Sequence, residues 1–114
     1  MEHVFVTGAT GFVGQRLTGA LAKEVHSDNS HARLKFLTRI PHPDYESVVC
    51  DLQYDYVPDD ALNGVDTVFH LAGYTHDQRV TKDADHLYYM INVNATVRLA
   101  ELAVASGVKQ FVFV

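Results

Sequence analysis

The sequence predicts an α/β fold: a doubly wound parallel sheet with strand order 3-2-1-4-5. Two observations carry that expectation. Short apolar, β-branched runs alternate along the chain with stretches of helical periodicity, which is the pattern of a parallel sheet covered on both faces. A glycine-rich turn, Gly8-Ala9-Thr10-Gly11-Phe12-Val13-Gly14, separates the first such run from the first helix. Right-handed crossovers between parallel strands then set the order.

Val4-Phe5-Val6 is a short β-branched and aromatic run ending at Gly8, as a buried first strand does. Residues 12–25 have helical spacing, with Val13, Leu17, Ala20 and Leu21 on one face. Residues 26–33 are polar and aperiodic, a surface loop. Residues 34–37 form a second strand, which Pro41 and Pro43 stop from continuing because proline removes a ladder donor. Val48-Val49-Cys50 is a brief third strand ending at Asp51. Pro58 opens a short helix through Leu62, closed by Asn63-Gly64. Residues 65–71 make a fourth strand, and residues 74–85 are polar with no clear element. A long helix runs from about His86 to Ser106. Leu87, Met90, Ile91, Ala95, Leu99, Leu102 and Ala103 form its apolar face, and Gly107 ends it. Residues 110–114 are the fifth strand, and the sheet is expected to be cut off there.

The chain of 114 residues is the size of one domain and long enough to bury a core without staples. Apolar residues make up 47%, too many for a disordered chain. The net charge of −5 repels phosphate backbones, so a nucleic-acid partner is not expected. Cys50 is the one cysteine, which fits a reducing compartment. The start, Met1-Glu2-His3, lacks a basic leader, and no apolar run approaches the roughly 18 residues that span a bilayer. A cytoplasmic protein without a membrane partner is the expectation. The seven histidines show no metal-ligand spacing, so no metal is expected.

In the glycine turn, Gly8 permits a tight exit from the strand. Gly11 lets a diphosphate approach the backbone, and Gly14 lets the helix pack closely on the sheet. The amides of Gly11, Phe12 and Val13 are expected to be unpaired at the helix N-terminus, where the dipole also attracts an anion. Packing glycines in a plain strand–turn–helix are the alternative, and the position in the first turn of an alternating chain favours the cofactor. The spacing Gly-x-x-Gly-x-x-Gly is one residue wider than the common dehydrogenase fingerprint. No Gly-Lys-Ser/Thr follows, which argues against a phosphate-transfer loop.

Four segments together carry a resemblance: Thr7-Gly8-Ala9-Thr10-Gly11-Phe12-Val13-Gly14, Asp51-Leu52, His70-Leu71-Ala72-Gly73, and Asn92-Val93-Asn94-Ala95-Thr96. The chain resembles the extended short-chain dehydrogenase/reductases, also called the NAD-dependent epimerase/dehydratase family, whose cofactor part is a Rossmann sheet. Nucleotide-sugar 4-epimerases and 4-reductases are the members it is most similar to. The resemblance implies that Asp51 and Leu52 lie at the adenine, and that Leu71, Ala72 and Gly73 pass along the diphosphate and ribose. It also implies that Asn92 fixes backbone geometry beside the cofactor. The family usually shows Ala-Ala where Ala72-Gly73 stands. A solvated carboxylate at a strand end and a polar helix-surface residue remain the plain alternatives for Asp51 and Asn92.

The end of the second strand bears on cofactor choice. An NAD site places a carboxylate there, whereas this chain has Thr38-Arg39, and a guanidinium pairs with a 2′-phosphate. NADP is therefore favoured slightly over NAD, with a solvated surface charge as the alternative for Arg39. His70 ends a buried strand and is expected to be a satisfied core histidine rather than a base.

Family catalysis uses a Tyr-x-x-x-Lys pair and a nearby Ser or Thr. The residues four positions after the six tyrosines are Val49, Pro58, Asp60, Gln78, Asn92 and Val93, and none is lysine. No catalytic residue is assigned, and the chain alone is expected to bind NAD(P) weakly and turn over nothing. The resemblance implies that the full-length parent transfers hydride to and from a nucleotide sugar through a 4-keto intermediate. An NADP-sensing binding module and a reductase of small carbonyl compounds are the other readings. The apolar fifth strand is a bare pairing edge, expected either to continue into a longer enzyme or to be covered by a partner chain. A homodimer is among the partners left open.

Overall fold

A computed structural model of the chain describes residues 3–27, 33–73 and 82–114. His3–Thr7 (β1), Arg33–Thr38 (β2), Glu46–Val49 (β3), Thr67–His70 (β4) and Gln110–Phe113 (β5) form one sheet. Every neighbouring pair is parallel and the order is β3-β2-β1-β4-β5, as predicted. The helices are Phe12–Ser27 (α1), Lys82–Tyr88 (α2) and Ala95–Ser106 (α3). A π-helical segment, Tyr89–Asn94, joins the last two.

Alternation along the central strand sorts the core. Phe5 points to one face, where it meets Val68, Leu62 and Leu99. Val4 and Val6 point to the other, with Leu34, Phe36 and the half-buried Leu21 and Ala22 of α1. The helices therefore cover opposite faces, α1 on one and α3 on the other. Register aligns Thr7 with Leu37 on one side and His70 on the other. The exits of β1, β2 and β4 thus open side by side at one end of the sheet, where doubly wound folds hold their ligands.

Several boundaries differ from expectation. Residues 58–65 make successive turns rather than a helix: the amides of Ala61, Asn63 and Val65 bond to Pro58, Asp60 and Leu62, each three residues back. Arg98 holds this stretch in place, donating to the Val57 carbonyl at 3.0 and 3.2 Å and pairing with Asp59. The fourth strand pairs only over Thr67–His70. Val65 and Asp66 precede it, and the Asp66 amide donates to His3 O. Helix begins at Lys82, before the expected His86. The remainder of the polar stretch, residues 74–81, lies outside the described residues, as do residues 28–32 of the expected loop.

The inner stripe of α1 also differs. Gly14 is buried, and Leu17, Thr18, Leu21 and Ala22 are half-buried, whereas Val13 and Ala20 are exposed. The approach of Gly14 to the preceding turn sets the helix phase, and it rotates the expected apolar face by one position.

Candidate functional site

Gly8 leaves β1 with φ +73°, a conformation only glycine adopts without strain. A Cβ there would sit 2.6 Å from Ala72 N and 2.7 Å from Leu71 C, so the exits of β1 and β4 touch through it. At Gly14 a Cβ would lie 1.9 Å from Gly8 O. This glycine therefore brings the helix against the turn itself, not against the sheet as expected. At Gly11 a Cβ would be 3.4 Å from the same oxygen.

The Gly11 amide donates to Gly8 O at 3.1 Å, so it is not one of the unpaired amides expected. Its carbonyl accepts from Gln15 N at 2.9 Å and begins the helix. Gln15 also caps the turn by donating Nε2 to Thr10 O. Among the described residues, no backbone acceptor is found for the amides of Phe12 and Val13. No acidic side chain stands in the first turn of α1 to occupy that end of the dipole. The side chains of Phe12 and Val13 are exposed, and Phe12 stacks under the Arg16 guanidinium. Only their backbones face the question of an anion.

A cleft of about 640 Å³ opens at this end of the sheet. It brings together Gly8, Thr10 and Gly11 from the turn, Arg39 after β2, Asp51 and Leu52 after β3, and Leu71, Ala72 and Gly73 after β4. Phe12, Val13, Gly14 and Asn92 do not line it. Asn92 lies in the π segment behind Gly73, where a Cβ on the glycine would be 3.5 Å from Asn92 Oδ1. An alanine would fit there in ordinary contact.

Asp51 is half-buried, and its Oδ1 accepts from the Gln53 amide at 3.0 Å. Among the described residues that is the carboxylate's hydrogen bond, and Oδ2 has none. Leu52 is part of the core beside it. Sequence reasoning passed over Ile40, Pro41, His42 and Pro43, which form the wall beyond Arg39, and also Cys50 and Ile91. The prolines had a signal, but only as strand breakers. The Cys50 thiol is pushed up to about 11, first by burial and then by Asp55 and Asp51, so it is a poor nucleophile.

His70 is fully buried and hydrogen-bonded on both ring nitrogens, to Thr7 Oγ1 and Thr96 Oγ1. Burial holds its pKa down at about 4. Among the described residues, no group of three His, Cys, Asp or Glu side chains could hold a metal ion. No helix among them is long and apolar enough to cross a membrane.

A glycine-built turn under a bare helix N-terminus, at the carboxyl edge of a parallel sheet, fits a dinucleotide's diphosphate. The family model for the NAD dependent epimerase/dehydratase family matches residues 4–114. The chain belongs to this family. The chain is similar to 3-beta-hydroxysteroid dehydrogenase from Mycolicibacterium neoaurum, 32% identical over 117 residues, which cover 99% of this chain and 31% of that protein. A 3 beta-hydroxysteroid dehydrogenase/Delta 5-->4-isomerase from Mycobacterium tuberculosis is also 32% identical, with the same coverage. Among solved structures, a short-chain dehydrogenase/reductase superfamily protein from Agrobacterium tumefaciens with bound NAD superposes with a TM-score of 0.78 at 28% identity, over 98% of this chain and 32% of that one. MoeE5 in complex with UDP-glucose and NAD gives 0.75 at 32% identity, over 97% and 35%. The chain thus spans about a third of the length of the relatives it matches.

Proposed function

We propose that this chain is the NAD(P)-binding portion of an epimerase/dehydratase-family enzyme, with the catalytic and substrate-binding part lying outside its 114 residues. The observation that carries this reading is the pair of unacceptored amides at Phe12 and Val13, set over side-chain-free backbone at Gly8 and Gly11. The diphosphate would bind there. Asp51 and Leu52 would flank the adenine, and Leu71, Ala72 and Gly73 would lie along the ribose. When bound, the dinucleotide supplies the hydride acceptor. This chain's own residues bind and orient it and move no proton.

The substrate proposed for the whole enzyme is a nucleotide sugar, interconverted through a 4-keto intermediate. The fit to a MoeE5 complex containing UDP-glucose supports this. A second reading, oxidation of a secondary alcohol on a steroid-like carbon skeleton, is favoured by the 32% identity to 3-beta-hydroxysteroid dehydrogenase across nearly the whole chain. The protein is proposed to be cytoplasmic, and a homodimer is compatible with the exposed fifth strand.

Arg39 is exposed on the cleft rim and supports a modest preference for NADP. Calorimetric titration of the 114-residue chain with each dinucleotide tests the reading. Saturable binding of either supports it, and no binding of both removes it. Arg39→Ala should raise the Kd for NADP about tenfold and leave that for NAD unchanged. Equal losses for the two would end the NADP preference.

A further inference from the structure

The hydrogen bonds around His70 determine its protonation by donor count. Thr96 donates its single hydroxyl proton to the Asn92 carbonyl at 2.8 Å, an atom that only accepts. Toward His70 Nε2, also 2.8 Å away, the Thr96 oxygen must therefore accept, and Nε2 carries the hydrogen. On the other side, Thr7 Oγ1 accepts from the amides of Leu71 and Ala72, both at 3.1 Å. Its own proton is left for His70 Nδ1, 2.6 Å away. The alternative tautomer would set Nε2 and the Thr96 oxygen against each other as two acceptors. It would also leave the Thr7 proton without a partner.

This relay joins the two sides of the cleft. Leu71 and Ala72 form one wall, already in contact with the Gly8 turn. Asn92 belongs to the π segment, whose Ile91 reaches the same cleft. We infer that His70 is a positioning residue: as a neutral Nε2–H imidazole it ties the Leu71–Ala72 wall to the π segment and so sets the opening that receives the dinucleotide. The inference rests on the dinucleotide reading of the cleft. The rings of Phe111 and Phe113, 6.3 and 5.6 Å from the imidazole, complete an uncharged surround. Burial that holds the pKa near 4 keeps the ring neutral around pH 7.

The test uses the full chain labelled with ¹⁵N. Histidine nitrogen shifts at pH 7 should show Nε2 protonated and Nδ1 bare in the unmodified protein, a readout that needs no variant. Thr96→Val keeps the side chain's shape but removes the hydroxyl. It should shift the amide resonances of Leu71 and Ala72 together with those of Ile91 and Asn92, and raise the Kd for NAD about fivefold or more. Thr96→Ser should preserve both. An Nδ1–H ring or an imidazolium at pH 7 would overturn the inference. So would a Thr96→Val protein that melts earlier but leaves the Leu71 and Ala72 amides and the NAD affinity unchanged. If the unmodified chain binds neither NAD nor NADP, the dinucleotide reading fails instead, and the tautomer and amide shifts still judge the role of His70.

Discussion

Two glycines in α1 answer different physical demands. Gly14 sits where a methyl group would collide with the Gly8 carbonyl, 1.9 Å away, while nothing lies within 4 Å of a methyl at Gly19. Gly14→Ala should therefore lower the unfolding free energy by at least about 2 kcal/mol and abolish dinucleotide binding, since the turn must move to admit it. Gly19→Ala should raise stability by about 0.5–1 kcal/mol, because a mid-helix glycine carries excess backbone entropy in the unfolded chain. Urea titrations of both variants check the contrast. His70 makes a different prediction at this scale. Its folded pKa of about 4 lies below the usual 6.5, so the unfolded chain takes up the extra proton. The contribution to stability is complete above pH 6.5, falls as pH drops through the window, and levels off below about pH 4. Between pH 7 and 4.5 the loss from this residue should be about 2–3 kcal/mol, seen as the difference in urea stability between the natural chain and His70→Gln at each pH. The expectation that His70 would be a satisfied core residue followed from its place at a strand end. Its two threonine partners, 63 and 26 residues distant in sequence, were not legible because only the fold brings them together.

Among the elements, the strands were more legible than the turns. Short apolar runs marked each strand to within a residue or two, and glycine, proline or aspartate marked the ends of the first three. The stretch after Pro58 carried helix-opening and helix-closing residues, yet it forms turns. Its backbone is held by Arg98, a tertiary contact that local propensity does not contain. The π segment was equally hidden: Ile91, Ala95 and Leu99 follow one another at four-residue steps whether the intervening turn is α or π. The end of α3 was plain. Gly107 takes φ +75°, its amide meets Val104 O at 3.3 Å, and Val108 N reaches back to Ala103 O at 3.0 Å. No neighbour would obstruct a side chain there. Gly107→Ala should thus cost about 1 kcal/mol from backbone conformation alone and leave NAD affinity unchanged, by urea titration and calorimetry respectively.

Across the molecule, the two faces of the sheet are unequally packed. Leu99 is wholly buried against Phe5, Leu62 and Val68, whereas Leu21 only half covers the opposite face. Leu99→Ala should cost about 3 kcal/mol and Leu21→Ala less than half of that, measured by chemical denaturation. Strand order and the edge where the cleft opens followed from alternation and handedness, which are properties of any such chain. The substrate did not, because the described residues form the cleft proposed for the dinucleotide. The wider turn at Tyr89–Asn94 has one more consequence. A π turn bonds i to i+5 where an α turn bonds i to i+4, so it takes in one extra residue while the helix on either side keeps its phase. Excising a single amino acid from that turn should let it close as plain α-helix and leave α2 and α3 presenting the faces they present now. What such a deletion would remove is the bulge in which Ile91 and Asn92 sit, beside the crevice.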